Sequence, residues 1–405
     1  MKITAKKNLS LEGLRGLAAF SVLCSHILFA FLPYLAHHLT PNNVISRFYD
    51  FEEILSLPVF TVFFNGVFGV SVFFVLSGYV ITKSFFAIGD VAVLQQYAAK
   101  RYPRIVIPVA VSVMFGWVLL STGAMHNQVA AAIHAAGWPM LQYTQPVEFA
   151  TALWQAIYGA PILGQSDLNS PLWTIRIEIL GSLLVFATYG LFGARSIFVN
   201  ILVFGTFTLL LNKGSYEALH YFALFAGSLI HYIERFIRGR SWIGAALLIL
   251  GMMGGAFDYS HMFGFLHDMP LPSLPFPLFN MKAWEAERTL YNSVGAVFLL
   301  CGVLACAPAA RALSHRIPVY LGRISYSMYL LHWPIICSFS YWSMDVLMLK
   351  LGVPYLYSIA CTGILSILVV ILASELFQRY IDSPAIRLGD MLAEILFRAR
   401  PAIRL

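Results

Sequence analysis

Ten runs of mostly apolar residues punctuate the chain, each near the ~20 residues that a helix needs to cross a bilayer. They lie at about 11–32, 59–82, 104–121, 172–192, 196–212, 216–233, 241–258, 289–307, 320–342 and 354–378. Inside hydrocarbon every backbone N–H and C=O must find a partner within the protein, which leaves only helices or closed barrels. Membrane strands are ~9–11 residues long and alternate polar with apolar positions, and these runs do neither. The expected fold is therefore an all-α, polytopic membrane helix bundle of about ten transmembrane helices. Composition agrees: 59% of the 405 residues are hydrophobic and 11% are charged, where soluble domains approach a quarter charged.

Charge sets the orientation. With the N-terminus placed in the cytoplasm, 20 of the 26 Lys and Arg residues fall on the inner side, five on the outer side, and Arg176 within a span. Residues 105–175 contain neither Lys nor Arg. Basic residues flank spans on the cytoplasmic side, so both termini are expected there. The same scatter excludes nucleic-acid binding despite a net charge of +7, because no single basic face is formed. Cys24, Cys301, Cys306, Cys337 and Cys361 all lie in apolar runs, without the spacing of a disulfide framework or a zinc site, so no metal is expected. The first run lacks a small-residue cleavage site after it and reads as a retained span. Three long outer loops, at about 33–58, 122–171 and 259–288, carry Trp138, Trp154, Trp284 and several prolines. They suit either interfacial anchoring or a lid over an outward-facing site.

Ionisable groups within spans are costly and mark function by default. The first span, LEGLRGLAAFSVLCSH, carries Glu12, Arg15 and His26. Arg15 and His26 are eleven residues apart, only ~20° out of phase at ~100° per residue. Small residues share that face, which favours close helix packing. His26 sits ~22 Å along this helix, in the outer half of the membrane. A neutral imidazole there can take a proton from a hydroxyl; a histidine bonded between helices is the structural alternative. The fourth span, SPLWTIRIEILGSL, brings in Arg176 and Glu178. If Glu178 reaches His26 it can orient that imidazole as the third member of a triad does; otherwise it is half of a buried ion pair.

The inner segment KRYPR sets Arg101 and Arg104 three residues apart, on one helix face. Pro103 favours a helix start there, and guanidinium groups suit phosphate. The positive-inside rule accounts for basic residues here equally well. In the ninth span, Ser325, Tyr329 and His332 recur at helical spacing, and Ser77-Gly78 in the second span permits close helix approach. Ser77, Tyr329 and His332 read as packing or substrate-lining positions, since no GxSxG elbow, HExxH pair, Walker loop or dinucleotide fingerprint accompanies them.

Taken together and in this order, these segments resemble the acyltransferase-3 family of membrane acyltransferases. LEGLRGLAAFSVLCSH is similar to its first-span signature, with Glu12 where Asp is more usual. GVSVFFVLSGYVIT, KRYPR, SPLWTIRIEILGS and LGRISYSMYLLHWP resemble four further segments, and ELFQRYIDSPAIR its closing pattern, with Ser383 in place of the usual Glu or Lys. The resemblance covers about residues 9–388, so 1–388 is expected to be the membrane acyltransferase domain and 389–405 a basic cytoplasmic tail. It implies transfer of an acyl group, usually acetyl from acetyl-CoA as co-substrate with no bound cofactor, to an exported or lipid-linked glycan at a bacterial-type inner membrane. It implies that His26 is catalytic, with Glu178 assisting, and that Arg15, Arg101 and Arg104 serve the acyl-CoA donor. Glu12, Ser77, Arg176, Tyr329 and His332 are then expected to line the substrate path. Some family members carry an added extracytoplasmic hydrolase-like domain; this chain is expected to act without one or with a separate partner. A covalent acyl-histidine is the variant mechanism. The alternative is a transporter or flippase of lipid-linked sugars, which needs similar spans and mid-membrane polar groups; turnover of acyl-CoA separates the two.

Overall fold

The computed structural model describes residues 8–39, 46–133, 138–165, 167–212, 217–257 and 283–398. Among these residues the regular structure is helical throughout. Eleven principal helices follow in order: α1 (Leu9–Phe31), α2 (Gly66–Ile88), α3 (Val91–Ser121), α4 (Trp173–Phe192), α5 (Ile197–Asn212), α6 (Glu217–Ile237), α7 (Ser241–Gly255), α8 (Ala283–Ala305), α9 (Arg316–Ile335), α10 (Tyr355–Phe377) and α11 (Ser383–Arg398). A short helix, Ala307–Leu313, links α8 to α9. Six stretches are long and apolar enough to cross a membrane: α1, α2, α3, α4 with its preceding turn, α8, and α10 continuing into α11. The protein is thus a multi-pass helical membrane protein. The other four expected spans coincide with α5, α6, α7 and α9. Of these, α5 and α7 have 16 and 15 residues, about 23 Å of helix against a hydrocarbon core of ~30 Å.

Two expected starts move, for local reasons. The second run breaks after residue 61, and α2 begins at Gly66, where Asn65 caps it by accepting from Phe68 N at 3.1 Å. At its other end Gly89, with φ of 78°, closes α2, and Asp90 caps α3 by accepting from Ala92 N at 2.9 Å. KRYPR therefore lies inside a 31-residue helix, with Pro103 and Pro108 both internal, and not in a loop before a helix start. A proline needs no N–H to sit in a helix if neighbours absorb the freed carbonyls; an apolar run shows none of these caps.

Glycines set the closest crossings. A methyl group on Gly16 would overlap Gly322 N and Pro318 O, and one on Gly78 would overlap the Leu224 carbonyl. So α1 packs directly on α9, and α2 on α6, backbone against backbone, as small residues allow in membranes. The expected division at residue 388 falls within α11. Ala385, Gly389 and Ala393 form the buried stripe of that helix, against α3, and Lys100 Nζ lies 3.1 Å from Asp390 Oδ1. The third expected outer loop lies largely outside the described residues, as do the side chains of Trp138 and Trp284.

The orientation expected from charge is open to direct measurement. Single cysteines placed at Gln128 and Gly239 should react differently with a membrane-impermeant maleimide applied from outside. Labelling at Gln128 alone is expected; labelling at Gly239 alone would invert the topology.

Candidate active site

Helices α1 and α9 run parallel, since Gly16 meets Gly322 and, ten residues further along each, His26 meets His332. The two meetings are about 15 Å apart along the helices at 1.5 Å per residue. At the second, His332 Nε2 lies 2.9 Å from His26 Nδ1, with ring centroids 4.9 Å apart and an interplanar angle of 25°. The indole of Trp333 meets the His26 ring edge-on at 5.4 Å. His332 is buried at 1% exposure, while His26 is half-buried.

Backbone carbonyls fix the tautomer of His332, and His332 in turn fixes that of His26. His332 Nδ1 lies 2.7 Å from Tyr329 O and 3.2 Å from Met328 O, so it carries the proton and donates. Its Nε2 then offers a lone pair. His26 Nδ1 faces that lone pair at 2.9 Å, so it carries the proton and donates to His332 Nε2. The outcome is a His26 Nε2 lone pair available to take a proton. Outer partners that hold an imidazole in one tautomer are what make it a competent base.

Pro334 explains why α9 is anchored so firmly here. Lacking an N–H, it leaves the Leu330 carbonyl without its helical donor. Asn169 Nδ2 supplies one at 2.8 Å and Ser112 Oγ another at 3.1 Å. The HWP sequence thus ties α9 to α3 and to the start of α4 two residues before His332. One turn inward, Tyr329 O–H donates to Pro171 O at 2.7 Å, and the Thr174 hydroxyl lies 2.8 Å from the same phenolic oxygen.

Glu178 does not join His26. Its Oε1 accepts from Ser77 Oγ at 2.5 Å and from the Arg101 guanidinium. The reason is helix direction: α4 runs antiparallel to α9, so Thr174 faces Tyr329 while Glu178, one turn on, comes within electrostatic reach of Tyr326. Each turn into α4 is a turn away from His332. Arg101 also donates through Nε to Ser182 Oγ at 2.9 Å, so much of its hydrogen-bonding capacity is taken up within the protein. Arg104 is exposed, with no ion pair to the described residues, and shares its electrostatic surroundings with Arg15, Arg101 and Asp382. Arg15 Nη2 donates to Glu12 Oε1 at 2.5 Å and Gly322 O at 3.1 Å, while its buried Nε has no partner among the described residues. Arg176 pairs with Glu217 Oε2 at 2.7 Å, away from this group.

Helix α9 is therefore polar along one side, from Gly322 beside Arg15, through Tyr326 and Tyr329, to His332. Tyr326, whose hydroxyl donates to Ile105 O at 2.9 Å, was missed in favour of Ser325; the three-residue spacing of 326, 329 and 332 is the signal that could have found it. Asp382 and Thr174 carried no comparable sequence mark.

A multi-pass helical membrane protein with an imidazole pair at one depth and a guanidinium cluster at another is the class that fold and site define. The chain belongs to the acyltransferase-3 family: the family model described as an acyltransferase domain matches residues 8–375. It is a membrane acyltransferase. Comparison with curated proteins returned no significant match, and comparison with solved structures returned none.

Proposed function

We propose that the protein moves an acyl group, acetyl by family resemblance, from cytosolic acyl-CoA to a hydroxyl of an exported or lipid-linked glycan, with His26 as general base. It would do so at a bacterial-type inner membrane, with both termini cytoplasmic and acyl-CoA as co-substrate. The observation that carries this reading is the polar side of α9, which joins the Arg15–Arg104 group to the histidine pair about 15 Å away. Phosphates of the donor suit guanidinium groups. The thin pantetheine arm would follow α9 outward and present its thioester beside His26.

In the reaction, His26 Nε2 accepts the proton of the acceptor hydroxyl as its oxygen attacks the thioester carbonyl. The tetrahedral intermediate collapses with cleavage of the C–S bond, and the imidazolium returns its proton to the departing CoA thiolate. His332 holds His26 throughout in the tautomer that exposes Nε2. The acyl-histidine route would instead leave a trappable acyl-enzyme when acceptor is withheld.

Of Arg15, Arg101 and Arg104, Arg104 alone makes no ion pair with the described residues. Arg104→Gln is expected to weaken acyl-CoA binding more than tenfold, as a charge-assisted contact is worth ~1.5–3 kcal/mol. Arg101→Gln should cost stability as well, because it strands the Glu178 carboxylate. Binding measured by calorimetry on purified protein checks both. Unchanged affinity in a folded Arg104→Gln, Arg101→Gln double variant would make these arginines topology determinants only, and failure of the wild type to consume acyl-CoA would favour a transporter.

A further inference from the structure

We propose that a cavity of about 440 Å³ between the start of α1, the end of α6, the end of α8 and the helix Ala307–Leu313 binds the phosphodiester headgroup of an anionic phospholipid. Its size falls within the ~300–1,000 Å³ usual for small-ligand sites. Its lining is divided in the way an amphiphile requires. Val303, Leu304, Ala307 and Ala310 form an apolar part, and Asn8, Arg238 and Arg311 a polar one.

The polar groups have capacity to spare. The Arg311 side chain makes no ion pair with the described residues. Arg238 is 67% exposed, and its partner Glu234 Oε1 stands 3.3 Å away. That carboxylate is shared, for its Oε2 accepts the Tyr79 O–H at 2.8 Å and lies 3.8 Å from His231 Nδ1. Two guanidinium groups thus line the cavity, and the one carboxylate paired with either of them, Glu234, is shared among other partners. Asn8 Oδ1 is taken up by Ser10 N at 3.1 Å and Ser10 Oγ at 2.8 Å, which leaves the Asn8 NH₂ group to donate to a ligand. The first turn of α1 adds the positive end of a 23-residue helix dipole.

This site is separate from the donor arginines. Ser10 and Arg15 are five residues apart, about 140° around α1, so the cavity lies on another face from the Arg15–Gly322 contact. By the charge rule it opens at the cytoplasmic ends of the spans, where anionic headgroups are and where basic pockets between helices recruit them. The apolar part adjoins α8, a span, and gives the glycerol and first methylenes a place that a soluble phosphate would leave empty.

Native mass spectrometry of the full-length protein, released from detergent carrying equal phosphatidylglycerol and phosphatidylcholine, tests the assignment. Wild type should retain phosphatidylglycerol at least ~10-fold in preference, and Arg238→Gln with Arg311→Gln should abolish that preference. Arg311→Gln alone changes an unpaired surface side chain, so it will fold, and it should lower the preference severalfold. Equal retention of the two lipids, or a preference that survives both substitutions, would overturn the proposal. Displacement of phosphatidylglycerol by millimolar inorganic phosphate would assign the site to a soluble phosphate and likewise overturn the lipid.

Discussion

His26→Ala should lower acyl transfer by ~10²–10⁴-fold, the usual contribution of a general base. The variant should still insert and still bind acyl-CoA, because the arginines are about 15 Å away along α1 and the Gly16–Gly322 crossing does not involve the ring. Turnover of acyl-CoA and calorimetric affinity, measured on the same preparation, separate chemistry from binding. Near-normal acylation by His26→Ala would remove the proposed mechanism, and the transporter reading would then take precedence.

The second large effect is at His332, where the contact with His26 changes what the sequence led one to expect. Read from spacing, His332 is a packing or substrate-lining residue whose loss costs stability more than chemistry. Its Nε2 stands 2.9 Å from His26 Nδ1, so it is a positioning residue for the base. Partners that orient a metal-bound histidine are worth ~10–100-fold, and the same scale is expected for a partner that orients a histidine base. His332→Ala should therefore lower kcat by that order while leaving KM for acyl-CoA unchanged. The His26 imidazole itself remains in place as a base, so the loss should be smaller than in His26→Ala. His332→Gln, whose amide oxygen can accept the His26 Nδ1–H, should recover most of the rate. A purely structural role predicts no such rescue, and a rise in KM without a fall in kcat would refute the positioning role.

Spacing along a single helix carried part of the site. Arg15 and His26 lie nearly in phase on α1, and Ser325, Tyr329 and His332 recur at helical spacing on α9; both patterns are visible in one dimension and both faces are polar in the structure. What spacing could not give is which helix meets which, and in which direction. Glu178 and His26 have similar depth only if each span is measured from its own end. Once α4 is packed antiparallel to α9, Glu178 faces Arg101 and Ser77. Arg101 and Arg104 look alike in KRYPR, yet one is engaged by Glu178 and Ser182 and the other is left exposed.

By itself the sequence determined the class of the protein. Runs of twenty apolar residues permit only membrane helices, because hydrocarbon leaves the backbone no other partners, and six motifs in order identified the acyltransferase family. Lys and Arg asymmetry supplied the orientation that labelling can test. Only the tertiary structure decided the pairings: His26 with His332, Glu178 with Arg101, Arg176 with Glu217. Side chains from distant spans meet according to helix direction and the closeness of glycine crossings such as Gly16–Gly322. Those quantities depend on contacts between segments from 41 to 306 residues apart, which no periodicity within one segment encodes.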